Sequence, residues 1–261
     1  MPSWIFVLAL TAAAILIAVG SGRQRWPALR IEPFPAPWRR ILGLALLAVV
    51  LALVVFVPLL AFPWVSPTRE DPGIAFGELF LGHAVLVAFL LAWWVLAGRP
   101  DIARFLALDL ANLEDDARLG AATAAAGWAA MAIALLGLQA LAPEAFPRLA
   151  GDAPLPDAVR AIAALGPVER FLLAVSAGVV EECFFRSFLQ VRAGAVLSVA
   201  AFAASHMTYG SPLMLAGVVP VGMVFAAVFA RRTSLLPCVV GHILFDVVQL
   251  FLFLPSASSE R

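Results

Sequence analysis

The sequence predicts an all-α, polytopic integral membrane protein with about eight transmembrane helices. Of its 261 residues, 63% are hydrophobic and only 13% are charged, whereas soluble domains carry about 25% charged residues. The apolar residues gather into runs near the length of about 20 that a helix needs to cross the hydrocarbon core. Arginines concentrate in alternate linkers between those runs, as the positive-inside rule requires of a multi-pass protein.

The expected spans, in order, cover residues 4–20, 41–62, 74–97, 121–141, 171–191, 195–207, 214–230 and 235–254. The first lacks a basic flank before it and has Arg23 and Arg25 after it, which suits an uncleaved anchor better than a secretory signal. Arg30, Arg39 and Arg40 extend the linker to the second span. The third closes on Trp93 and Trp94, residues suited to an interfacial aromatic belt. Between the third and fourth spans, residues 101–118 mix apolar and acidic positions, and their first half suits an amphipathic helix at the interface. The sixth span is short and runs into Tyr209-Gly210-Ser211-Pro212, a turn signal, so a broken or partly embedded helix is expected. Arginines after the first, third, fifth and seventh spans put those linkers on the cytoplasmic side and both termini outside. The opposite linkers, 63–73 and 142–166, are richer in Pro and poorer in Arg.

Three regions follow. Residues 1–166 hold four N-terminal spans and their linkers, 167–254 form a second membrane core, and 255–261 are a short tail. Zero formal net charge argues against a nucleic-acid partner, leaving the lipid bilayer as the one environment composition implies. All seventeen basic residues are Arg, which with the abundant Ala points to a GC-rich bacterial genome and hence a bacterial inner membrane. Cys183 and Cys238 lie within apolar spans and show no C-x-x-C spacing, so neither a disulfide nor a cysteine metal site is expected.

The chemistry concentrates in the fifth, sixth and eighth spans. Glu181, Glu182 and Arg186 sit inside an apolar run. Each unpaired charge at the bilayer centre costs about 2.5–3.5 kcal/mol on insertion scales, so such a trio needs partners and marks a functional site by default. Glu182 and Arg186 are four residues apart, share a helix face and can pair. Glu181 then points about 100° away and is left for another task. Of the three histidines in the chain, His206 and His242 fall at depths comparable to Glu181, and His242 has Asp246 one helical turn on. A carboxylate and an imidazole on different helices can activate a water while neighbouring donors hold an oxyanion. The blander readings are a buried structural pair at Glu182–Arg186 and packing histidines bonded to carbonyls. His83, without a carboxylate at helical spacing, reads as structural or interfacial, and Phe184, Phe185 and Phe188 as lipid-facing or packing residues.

Glu181-Glu182-x-x-x-Arg186, Phe202-x-x-x-His206 and His242-x-x-x-Asp246 resemble, in order, the three motifs of the CPBP family, which includes type II CAAX prenyl endopeptidases and bacterial intramembrane relatives. The resemblance spans roughly residues 168–254. It implies a type II CAAX-protease-like membrane core and an intramembrane endopeptidase acting on a membrane-associated protein or peptide, in CAAX-like or sorting-signal processing. It also implies that Glu181 and His206 activate water, that His242 and the residue at 246 hold the oxyanion, and that Glu182 and Arg186 support the site. The family's third motif usually ends in Asn, so Asp246 is a departure: an ionised Asp accepts hydrogen bonds but cannot donate one. Asp246 can instead orient His242 or help bind a metal. No cofactor is expected. The alternative is a zinc ion on Glu181, His206 and His242 with one open position, although H-E-x-x-H is absent. Competing functions are a non-proteolytic bacteriocin-immunity or peptide-binding protein, and a proton-coupled transporter.

Overall fold

The computed structural model describes residues 31–56, 72–144, 146, 157–209 and 211–254, and among them every regular element is helical. The first expected span, the linker over 63–71 and the tail 255–261 lie outside the described residues. Helix α1 covers Pro37–Leu51 and runs on as a π-helical turn, Ala52–Phe56. Helices α2 (Pro72–Leu96), α3 (Ile102–Phe105), α4 (Leu113–Leu141) and α5 (Asp157–Ala164) follow. Helix α6 (Pro167–Glu182) passes into a π-helical segment, Cys183–Gln190, and then into α7 (Val191–Ser205). A 3-10 turn, His206–Tyr209, leads to α8 (Pro212–Arg232) and α9 (Leu236–Val248), the latter extended by a second π-helical segment, Gln249–Phe253.

Five of these stretches are long and apolar enough to cross a membrane: Pro37–Val55, Leu113–Leu141, Pro167–Ser205, Leu213–Arg232 and Leu236–Phe253. Phe80–Leu96 forms a shorter apolar helix. Large apolar side chains face outward from them, Ile41 at 69% and Ile133 at 71% exposure, while Asp116, Glu182 and Arg186 have none. That inversion suits lipid outside and polar pairing inside.

The 39 residues of Pro167–Ser205 would span about 58 Å as a straight helix, far beyond one crossing. They do not run straight. Gly194 adopts φ 86° and ψ 164°, a backbone that only glycine takes without strain, and the chain folds back there. Ser198 Oγ consequently donates to Phe185 O at 2.5 Å, though a straight helix would hold these residues about 20 Å apart. The expected division into a fifth and a short sixth span is this reversal.

Small residues then set how closely α9 approaches its neighbours. A Cβ on Gly178 of α6 would meet Ile243 Cγ1 at 2.5 Å and Ile243 N at 2.9 Å. One on Gly120 of α4 would meet Val240 Cβ at 2.6 Å, and one on Gly241 would meet Gly120 O at 2.9 Å. Helix α9 is thus seated against α4 and α6 at backbone contact distance, as small residues permit in membrane bundles. Gly178→Ala should therefore lower stability by about 1–3 kcal/mol through overpacking. A thermal-unfolding midpoint in detergent equal to wild type would show that α9 can move away at no cost.

Charged side chains lock the ends of the bundle. Arg232 Nε and Ser234 Oγ each donate to the buried Asp116 carboxylate at 2.7 Å, joining α4 to the α8–α9 turn. Arg170 donates to Leu165 O, Ala163 O and Leu250 O, tying the end of α5 to α9. Arg192 donates to both oxygens of Glu32, and Trp93 Nε1 donates to the same carboxylate at 2.6 Å. Burial alone would raise the Glu32 carboxyl, but the hydrogen bonds from Arg192 and Trp93 hold it below its ordinary value of 4.5. Its stabilisation is accordingly present above about pH 4.5 and is lost as pH falls through the lower folded value. Glu32→Gln should remove this part of the acid limb of the stability–pH curve, and an unaltered limb would mean the pair does not contribute.

Several expectations change on folding. Trp93 is fully buried, with its indole committed to Glu32 and its ring 4.9 Å from Phe188, so it is core rather than interfacial belt. Phe184, Phe185 and Phe188 are each at most 1% exposed, so of the two readings open to them, lipid-facing or packing, the structure takes packing. The amphipathic helix after the third span is one turn long, capped by Asp101 on Arg104 N. It stops at Ala107 (φ 52°), whose carbonyl accepts from Leu235 N. The linker 142–166, for which no helix is assigned from the sequence, contains α5.

Candidate active site

The site is built on α6 by helical phase. Gly178 and Glu182 are one turn apart and therefore share the face that touches α9. Glu182 meets His242 there: His242 Nδ1 lies 2.9 Å from Glu182 Oε1. The other oxygen, Glu182 Oε2, accepts from Arg186 Nε at 2.9 Å, one turn further along the chain. Arg186, wholly buried, reaches Ser198 Oγ at 3.4 Å and lies 5.2 Å over the Phe202 ring. The expected Glu182–Arg186 pair is present, and it joins α6 to both α7 and α9.

His242 continues the chain of charges. Its Nε2 lies 3.6 Å from Asp246 Oδ2, an ion-pair separation longer than a hydrogen bond. Because a carboxylate only accepts, Nδ1 of His242 donates to Glu182, and Nε2 is the nitrogen available for chemistry. The imidazole sits between the rings of Phe225 at 5.6 Å and Phe202 at 6.2 Å. Phe202 also contacts His206, with centroids 4.5 Å apart, so one ring packs against both histidines. His206 Nδ1 donates to Phe202 O at 2.8 Å, which leaves its Nε2 as the acceptor.

Glu181 and Glu182 are adjacent in sequence and opposite in circumstance. Glu182 engages both oxygens and its side chain is 1% exposed. Glu181 is 16% exposed, with Oε1 3.3 Å from His83 Nε2. Its Oε2 is buried and has no hydrogen-bond partner among the described residues. A buried acceptor left unmatched is uncommon and calls for an explanation. The imidazoles of His83, His206 and His242 all lie within electrostatic reach of this carboxylate. A π-helical segment begins at Cys183, immediately after the pair, a distortion often found at functional sites.

The structure thus joins Arg186, Glu182, His242 and Asp246 in one hydrogen-bonded and ion-paired series, with Glu181 beside it and His206 packed on the Phe202 ring. It also brings in His83, whose lack of a carboxylate at helical spacing suggests only a structural or interfacial place. The signal available was that an imidazole in an apolar span needs a partner. Helical spacing could not name that partner, because it lies 98 residues away on α6.

No group of three or more His, Cys, Asp or Glu among the described residues is arranged to hold a metal ion. Glu181, His206 and His242 therefore do not fit the three-ligand zinc arrangement.

Residues 164–248 match the family model described as Type II CAAX prenyl endopeptidase Rce1-like. The matched segment contains Glu181, Glu182, Arg186, His206, His242 and Asp246, and leaves out His83. No curated protein and no solved structure matches the chain.

Proposed function

We propose, starting from the place of residues 164–248 in the Rce1-like CAAX protease family, that this multi-pass membrane protein hydrolyses a peptide bond in a membrane-associated protein or peptide. The observation that carries the mechanism is the contrast within the glutamate pair. Glu182 is sealed into bonds with Arg186 and His242, while Glu181 keeps one oxygen unengaged among the described residues.

Glu181 Oε2 takes a proton from water, and His206 Nε2 accepts the water's second hydrogen bond and orients it. The hydroxide equivalent attacks the scissile carbonyl carbon, and His242, as the imidazolium protonated at both nitrogens between Glu182 and Asp246, donates from Nε2 to the oxyanion that forms. Collapse of the tetrahedral intermediate breaks the C–N bond, and Glu181 returns its proton to the leaving amine. Asp246, an acceptor facing the same His242 nitrogen, is better suited to orienting the imidazole than to holding the oxyanion itself. Glu182 and Arg186 hold His242 and the α6–α7 contact in position. The substrate class we favour is a C-terminal CAAX-like tail or a sorting signal, processed in a bacterial inner membrane.

Membrane-protein termini should be compared between cells carrying the wild-type protein and cells carrying Glu181→Gln. Uncut forms of particular proteins in the variant would support the endopeptidase reading and name its substrates. Identical termini, with the variant stably accumulated, would overturn it in favour of peptide binding or immunity.

A further inference from the structure

The family match begins at residue 164, yet the general base of the proposed reaction has a partner from α2, well before it. His83 Nε2 lies 3.3 Å from Glu181 Oε1, and its Nδ1 lies 2.8 Å from Ser176 Oγ. Its side chain is 12% exposed, with the Phe80 ring 6.2 Å away in an edge contact. A carboxylate only accepts hydrogen bonds, so a productive contact requires a proton on His83 Nε2. Ser176 can supply the complementary half, because its hydroxyl can donate to an unprotonated Nδ1. The three groups then form one directed series in which Ser176 O–H donates to Nδ1 and Nε2–H donates to Glu181 Oε1.

We infer that His83 is a positioning residue for Glu181, holding the carboxylate by Oε1 so that Oε2 is the oxygen presented for proton transfer. Ser176 selects the imidazole tautomer that makes this possible. The inference rests on the endopeptidase reading, and it adds α2 to the machinery. In a carboxylate free to rotate, either oxygen would turn into the site and part of the population would be misaligned. Anchoring Oε1 removes that freedom, and it accounts for the unequal treatment of the two oxygens, one bonded and one without a partner among the described residues. His83 keeps its own proton throughout, so the donor is never consumed in the cycle.

The test uses the full chain in lipid with a substrate identified from its uncut terminus. His83→Ala should lower kcat by about 10–100-fold, the range seen when an orienting partner is lost, with KM within about twofold of wild type. His83→Gln, which can place an amide N–H near the former Nε2, should recover at least about tenfold of that loss, whereas His83→Met should not. In a Glu181→Gln background, His83→Ala should cause no further loss, because its effect passes through the missing carboxylate. Equal activity of the Gln and Met variants, or additive losses in the double variant, would overturn the assignment.

A second measurement does not depend on proteolysis. Histidine-labelled protein, with the His83 resonance identified by its absence in His83→Gln, should show a protonated Nε2 by nitrogen NMR. An unprotonated Nε2 would overturn the proposal even if cleavage were established. A protonated Nε2 in a protein that cuts nothing would overturn the endopeptidase reading and leave the Ser176–His83–Glu181 geometry standing.

Discussion

Glu181→Gln is expected to reduce cleavage by about 10²–10⁴-fold, the usual contribution of a general base, while KM and the unfolding midpoint stay near wild type. The amide keeps the size of the carboxylate and can still share a hydrogen bond with His83, but it cannot take a proton from water. Glu181 is also the member of the pair whose loss the fold can absorb. It is 16% exposed and pairs with a single histidine, so neutralising it strands no buried cation. A variant that retains more than about a tenth of wild-type kcat would exclude Glu181 as the base. Parallel loss of activity and stability would point to a structural carboxylate.

Arg186→Met is expected to do the reverse, destabilising the protein by about 3–5 kcal/mol because it leaves Glu182 buried without its ionic partner. The arginine has no solvent exposure, bonds Glu182 at 2.9 Å and covers the Phe202 ring. Its removal therefore disturbs α6, α7 and, through Glu182, the His242 imidazole. Replacing both partners, as Glu182→Leu with Arg186→Met, should recover most of the stability, since a buried pair often costs about as much in desolvation as it returns. Activity should not return with it, because His242 Nδ1 would have no acceptor on α6. Denaturation midpoints and cleavage rates of the single and double variants separate these effects. A single variant as stable as wild type would mean that Glu182 is not held as a buried charge.

Much of this site was legible because helical geometry operates within a segment. The four-residue spacings of Glu182–Arg186 and His242–Asp246 put each pair on one face before any tertiary information, and both pairs are close in the structure. The same periodicity turned Glu181 away from Arg186, and its carboxylate does meet a different helix. Trp93 stands at the end of a hydrophobic run, which suggests an interface, yet it is buried. Its burial depends on Glu32 and Arg192, which come from segments far apart in the chain. Phe184, Phe185 and Phe188 show the same limit, since a phenylalanine facing lipid and one facing a protein core have identical hydropathy. The reversal after the fifth span had a local cause, Gly194, but its consequence, Phe185 meeting Ser198 and Phe202, did not.

By itself the sequence determined the membrane class, the approximate spans and the residues able to act as acid, base or donor. These follow from composition, from the thickness of the bilayer and from a helical repeat that is the same in every protein. Tertiary structure alone decided which helices share a site. Glu182 meets His242 because Gly178 lets α9 approach α6 to backbone contact, and Glu181 meets His83 because α2 packs along α6. Such encounters depend on the rotation and depth of one helix against another. They are set by the shapes of many side chains at once, and no spacing within a single segment encodes them.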